Sequence, residues 1–415
     1  MHNRESVVQL LERYEARGAK YHTDIVWSDL SGGIVKDLDG QQYIDFSSCA
    51  LVVNAGHGCE EIKAAILDTV ERGLLASHRY PTIERGQLVK LLHDVTFNSY
   101  KTALFNSGSE AVEAVIKIVL NWHAHLGRSQ KNKFVSYRNS FHGKSLGASL
   151  LSEFDPSNRV IRLLGDTSQF VKIDFPDDSS DIESQIGASG IDPDEIACIM
   201  IEPYQGIRGK MAPPEYMRRL ADWCKSNDVV LAVDEIQSGF GRTGRVWAYE
   251  HFDIKPDLIV CGKGMSSSLP ISAVIGAGDL MDASPPRSIA STHSGNPVCC
   301  AASYASITKI ISSEFMSRVA DSSRTLQNKI RDIANRHPDK IVEVNGIGLM
   351  VAIQFASHNK PIAELVVENA SKRGLLLYRP YGVSAGMVKI SPPLTITEAD
   401  LCRGLEILDD VIRLV

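Results

Sequence analysis

Five short apolar runs punctuate the middle of the chain, at residues 133–137, 197–201, 229–233, 258–261 and 273–275, and amphipathic stretches such as 109–123 and 214–225 flank them. Aliphatic runs without polar alternation read as strands buried on both faces. A sheet covered on both faces needs helices on both sides. The alternation therefore predicts an α/β fold whose large domain has a mostly parallel central sheet flanked by helices. Before it, residues 5–17 show helical periodicity, and 34–37 and 42–46 read as a hairpin through Leu38-Asp39-Gly40. After about Asn296 the pattern becomes a long helix, short strands near 341–355 and 375–378, and a last helix over 397–414. The predicted organisation is a large domain over 51–300, a smaller α+β domain over 301–415, and an N-terminal segment 1–50 packing with the smaller one.

Charge narrows the partners. The 415 residues carry 44 Lys+Arg against 50 Asp+Glu, a net charge of −6, without a block of like charges. That balance speaks against nucleic acid and anionic membranes. The opening Met1-His2-Asn3-Arg4-Glu5 carries an acid and runs into an amphipathic pattern, and no apolar segment is long enough to span a bilayer, so an unexported, cytoplasmic protein is expected. The eight cysteines include no C-x-x-C pair and sit mostly in apolar runs. Buried free thiols are expected, and no metal site.

Several strand ends and turns carry chemistry. The run 229–233 ends on Asp234-Glu235, a costly pair of acids in a core unless a cation meets one of them. Gly239, Gly241 and Gly244 satisfy the dinucleotide spacing G-x-G-x-x-G. In that fingerprint the first glycine ends the strand and the third opens a helix. Here residues 234–238 intervene, so a nicotinamide oxidoreductase stays only as the alternative from another class. Lys263 stands between two glycines just after 258–261, at the edge of an open sheet where ligands bind. Ser107-Gly108-Ser109 opens a helix, a place that suits phosphate and equally suits a plain N-cap serine. Phe141-His142-Gly143 and 291–297 each read as ordinary loops when taken alone. Together, a lysine, a buried acid, a phosphate-ready helix start and an aromatic plate make an inventory for pyridoxal phosphate.

On D-E-I-Q at 234–237, G-K-G at 262–264 and the loop T-H-S-G-N-P at 292–297, the sequence resembles the class III (subgroup II) aminotransferases of pyridoxal-phosphate fold type I. Ornithine, 4-aminobutyrate and acetylornithine aminotransferases form this family, and the resemblance runs over nearly the whole chain. It implies that Lys263 forms the Schiff base with the cofactor and that Asp234 pairs with the ring nitrogen. It further implies Gln237 near the ring hydroxyl, Ile236 and Phe141 on the two ring faces, and Ser107, Gly108 and Ser109 at the phosphate. Glu202 and His142 complete the implied cofactor contacts, and Thr292 reaches the phosphate of the neighbouring subunit, so a homodimer with active sites at the subunit interface is expected. Small-molecule amine and carbonyl substrates are the implied partners.

The chain departs from the family it resembles at the substrate end. Lys389 stands where relatives carry a carboxylate-binding arginine, Ile207 where they carry its glutamate partner, and Lys144 where 4-aminobutyrate enzymes have an arginine. Lys389, Arg208, Lys144 and Trp27 are the candidate substrate contacts. The expectation is an aminotransferase moving an amino group from a primary amine, an amino sugar among the options, to a keto acid or aldehyde. An epimerase on the same scaffold is the alternative, because it uses the same lysine and acid.

Overall fold

The computed structural model describes residues 4–19, 23–153, 166–356, 362–378 and 386–415. Residues 1–3 of the opening segment, read above as no export leader, lie outside the described residues. Near the start, β1 (Trp27–Ser31), β2 (Ile34–Asp37) and β3 (Gln42–Asp45) form an antiparallel meander. The strands that follow are β4 (Tyr100–Phe105), β5 (Lys133–Tyr137), β6 (Phe170–Ile173), β7 (Ile196–Ile201), β8 (Tyr204–Gln205), β9 (Lys210–Met211), β10 (Val230–Asp234), β11 (Leu258–Cys261) and β12 (Ser272–Ala277). Last come β13 (Ile341–Ile347), β14 (Met350–Phe355), β15 (Leu375–Leu376) and β16 (Met387–Ile390).

Seven strands build the central sheet in the order β4-β12-β11-β10-β7-β5-β6. From β11 to β6 all pairings are parallel, and β12 alone runs antiparallel to both its neighbours. Every residue of β7, β10 and β11 is buried, as continuous apolar runs under helices on both faces should be. The expected mostly parallel sheet is there, extended by β4 and β6, which the apolar runs did not announce.

The helices follow from capped amphipathic sequence. Gly108–His125 starts on a capping box between Ser107 and Glu110, and Pro214–Ser226 has proline in its first turn. Beyond the sheet, β13-β14-β16 form a three-stranded antiparallel sheet, packed with the helices Ser313–Arg336 and Ile362–Lys372, and the last helix Glu398–Leu414 packs on both of them. The two-residue strand β15 pairs in parallel with β3, so the N-terminal meander is closed by chain from residue 375 onward. All eight cysteines are free thiols. Among the described residues no helix is long and apolar enough to cross a membrane, and no cluster of His, Cys, Asp or Glu could hold a metal ion.

Candidate active site

Parallel strands side by side bring their carboxyl ends to one edge. In the β10–β11 pairing Asp234 lies opposite Val260, which sets the last residue of β10 beside the turn that carries Lys263. A cavity of about 400 Å³ opens at this edge, and Lys263, His142, Phe141, Ile236, Gln237 and the helix start Ser107-Gly108-Ser109 line it. Asp234 stands behind that wall: its Oδ2 is 2.7 Å from His142 Nδ1, and its Oδ1 accepts the Ile236 N–H at 3.0 Å. Both oxygens are thus fixed in position. A charge-assisted bond of this kind contributes roughly 1.5–3 kcal/mol.

Lys263 is held in the left-handed region, φ 40°. Burial pushes its amine below the usual lysine range, with Asp234 and Glu202 pulling the other way. Burial outweighs the acids and moves this lysine toward its neutral, nucleophilic form. Glu202 accepts the N–H groups of Phe141 at 3.0 Å and Gly206 at 2.9 Å, which pins two loops of the cavity wall. Burial pushes its carboxyl up to about 6.

A second group of lining residues, Ala50, Leu51, Ile207, Tyr378 and Lys389, completes the cavity wall, with Lys144 at an exposed position. Lys389 is 2 % exposed, sits over the Tyr378 ring at 5.8 Å, and has its Nζ 3.5 Å from Gln237 Oε1. Burial brings its pKa down to about 7, with Glu202 opposing and Lys263 adding to the shift. Among the described residues that line the cavity there is no Asp or Glu.

Ala50 and Leu51 reach the wall through an uncommon backbone. Ser48, Cys49, Ala50 and Leu51 are four successive non-glycine residues at φ 46°, 50°, 57° and 70°. Each such residue costs about 1–2 kcal/mol against the right-handed form, so the surroundings must hold this turn in place.

Five predicted contacts are not lining residues: Asp234 and Glu202 bond to the wall without lining it, and Thr292, Trp27 and Arg208 lie elsewhere. Thr292 is on an exposed loop with its carbonyl 3.3 Å from His78 Nδ1. Trp27 is exposed and stands edge-on to His57, with ring centroids 5.6 Å apart. Arg208, in the turn between β8 and β9, acts on Glu343, whose carboxyl is held low mainly by Lys210 against its own burial. Ala50, Leu51 and Tyr378 were not foreseen, since no motif marks them; Gly143 and Gly206 fall in segments already singled out but were not named as contacts. The decoy glycines also resolve: residues 236–247 form turns and bends, with no helix opening at Gly244.

The residues present fit a flat anionic cofactor. The Glu110 N–H is taken by Ser107 Oγ at 3.2 Å and the Ala111 N–H by Ser107 O, which leaves the N–H groups of Gly108 and Ser109 for a phosphate. Ser107 is therefore an N-cap serine, and that role does not compete with phosphate binding by the next two residues. A Cβ at Gly108 would lie 2.9 Å from Ile236 Cδ1, and one at Gly206 would lie 2.2 Å from Gln237 Nε2. Bare backbone at both places lets Ile236 and Gln237 border the cavity.

Comparison with known proteins agrees. The family described as "Aminotransferase class-III" matches residues 14–412. Isoleucine 2-epimerase of Lentilactobacillus buchneri is 31% identical, over 97% of this chain and 93% of the relative. The 4-aminobutyrate aminotransferase of Mycobacterium leprae is 29% identical, over 98% and 95%. An ornithine aminotransferase from Toxoplasma gondii, with pyridoxal phosphate at partial occupancy in its active site, superposes with a TM-score of 0.88 at 26% identity, covering 100% of this chain and 95% of that one.

Proposed function

The chain belongs to the class-III aminotransferases, pyridoxal-phosphate-dependent enzymes of fold type I, and from that premise we propose that its amine substrate enters with an anionic group toward Lys389 and passes its amino group to a keto acid or aldehyde. The observation that carries this is a buried lysine in a cavity wall without a lining carboxylate. An anion offsets the cost of keeping that ammonium charged out of water.

When bound, pyridoxal phosphate supplies the electron sink that lets the amine-bearing carbon give up its proton. Lys263 Nζ, moved toward its neutral form by burial, is the base that takes this proton and the acid that returns it. Asp234, fixed by His142 and the Ile236 N–H, would hold the cofactor's ring nitrogen. Phe141, Ile236 and Gln237 would border the ring, and the N–H groups of Gly108 and Ser109 would hold the phosphate. In this reading Thr292 serves the site of a second copy, within a homodimer.

An amino sugar is the weaker substrate, because a polycation would find no carboxylate in the lining. The test is the spectral conversion of the holo-protein by single donors: 4-aminobutyrate, ornithine, branched-chain amino acids and an aminoglycoside carrying a 6-aminohexose. Conversion by carboxylate-bearing donors is expected. If the aminoglycoside is the best donor, the anionic reading is wrong. The similarity to an isoleucine epimerase supports a second reading, separated by one criterion: an epimerase inverts its amino acid without any keto acid acceptor.

A further inference from the structure

The glycine-rich loop at 239–244, for which the dinucleotide reading finds no use, carries a fully buried arginine, Arg242. Its guanidinium meets no carboxylate directly; its partners are four neutral oxygens from three distant segments. Nη2 donates to Asn54 Oδ1 at 2.6 Å and reaches Ser48 Oγ at 3.4 Å. Nη1 donates to Leu349 O at 3.1 Å and Pro392 O at 2.5 Å. Ser48 and Asn54 bracket the left-handed turn that puts Ala50 and Leu51 in the cavity wall, and Pro392 lies three residues beyond Lys389.

We propose that Arg242 is a positioning residue for the substrate end of the cavity, holding the left-handed turn at Ser48–Leu51 in register with the end of β16. Other bonds hold each side of the turn separately: on the exit side Asn54 O accepts the Leu394 N–H at 3.0 Å and Ser267 Oγ accepts the Ala55 N–H at 2.9 Å, whereas Arg242 joins Ser48 and Asn54 to the end of β16 through one group. Asp45 Oδ1 accepts the Ser47 and Ser48 N–H groups at 2.7 and 3.1 Å, which fixes the entry. The exit runs through Asn54, whose Nδ2 donates to Phe240 O at 2.9 Å within the arginine's own loop. Ser48 Oγ donates to Ser391 O at 2.6 Å, so turn and strand end already touch, and Arg242 closes that contact from below. Four successive residues in the left-handed region return to the ordinary regions unless both ends are held. A rigid planar fork can reach four acceptors in two directions, which a lysine's single nitrogen cannot. The glycine loop thus gains a function unrelated to nucleotides: it carries the clamp.

The inference rests on reading the cavity as the substrate site and is indifferent to which donor fills it. The experiment uses holoenzyme with the best donor found in the panel. Arg242→Lys is expected to raise KM by about tenfold or more, with cofactor content and visible absorbance unchanged and kcat less affected. Cys49→Gly supplies the rescue. Cys49 is not in the cavity lining, and glycine adopts the left-handed region without a steric penalty, so the turn keeps its shape with a weaker clamp. The double variant should return to within about threefold of the parent KM. A folded Arg242→Lys with unchanged KM, a raised KM that Cys49→Gly leaves in place, or a parallel loss of cofactor overturns the proposal. Should Arg242→Lys not fold, Ser48→Ala breaks the same contact from the turn; its KM should rise by roughly three- to tenfold and fall again with Cys49→Gly, and an unchanged KM counts against the clamp. Lys263→Ala, run alongside, tests the site itself: turnover there would remove the active-site reading, whatever Arg242 does.

Discussion

The two ends of the cavity are built differently. At the cofactor end, Lys263, Asp234, Ile236, Gln237 and Gly108 follow directly on strands of one sheet, and local sequence places each of them. At the proposed substrate end, Leu51, Ile207, Tyr378 and Lys389 come from four remote segments: Glu202 holds the Gly206 N–H, Arg242 joins Asn54 to Pro392, and the Lys389 N–H donates to Tyr378 O. The difference teaches where each kind of change should register. The sheet edge is rigid and general, whereas the far wall is a tertiary assembly in which specificity can change without touching the cofactor.

The largest expected effect breaks the cofactor end. Lys263→Ala should lose activity by several orders of magnitude and lose the visible absorbance of lysine-bound cofactor, as seen by absorbance and single-turnover kinetics. Turnover near the parent rate would move the chemistry elsewhere. Next is Asp234→Asn, which keeps the shape and removes the charge. Its kcat should fall by roughly 10²–10³ while donor KM changes little, since the loss lies in the chemistry and leaves the far wall intact.

Lys389→Met addresses the other end. For a carboxylate-bearing donor kcat/KM should drop by about 10- to 150-fold, the worth of one charge-assisted bond, with cofactor content unchanged. The same lysine gives the far wall a pH signature. Its pKa is lowered to about 7 mainly by burial, so the ammonium that grips an anion is present below that pH and lost above it. Donor KM should therefore rise as pH passes upward through about 7, and Lys389→Arg, charged throughout, should flatten the rise. A KM independent of pH in the parent enzyme would separate Lys389 from substrate binding.

The smallest effect sharpens the boundary of the site. Trp27→Ala should change kcat/KM less than about twofold, because the ring lies exposed against His57 and outside the cavity lining. A tenfold loss would bring Trp27 into a site completed by another copy of the chain.

Much of this molecule could be read before any coordinate. Continuous apolar runs announced β7, β10 and β11, because a strand buried on both faces has little room for polar residues. The acid ending β10 and the lysine after β11 followed at once, since parallel strands gather their carboxyl ends. The direction of β12 was also within reach: ten residues separate Cys261 from Ser272, too few for a helical crossover, so an antiparallel return was the economical solution. β4 and β6 escaped because their residues are only partly buried and interrupt the apolar pattern.

What the sequence determined by itself was therefore the sheet, its helices and the chemistry at its edge, all governed by local periodicity and by residues adjacent in the chain. The tertiary structure alone decided the far wall. Nothing local predicts that Ser48, Asn54, Leu349 and Pro392 share one guanidinium, or that four non-glycine residues stand in a left-handed turn. Such a conformation is unfavourable in isolation and exists only where distant buried groups hold it. Lys389 shows the same division: its sequence position made it a candidate substrate contact and left its partner open, while its depressed pKa and its place beside Tyr378 and Gln237 depend on burial that the fold creates.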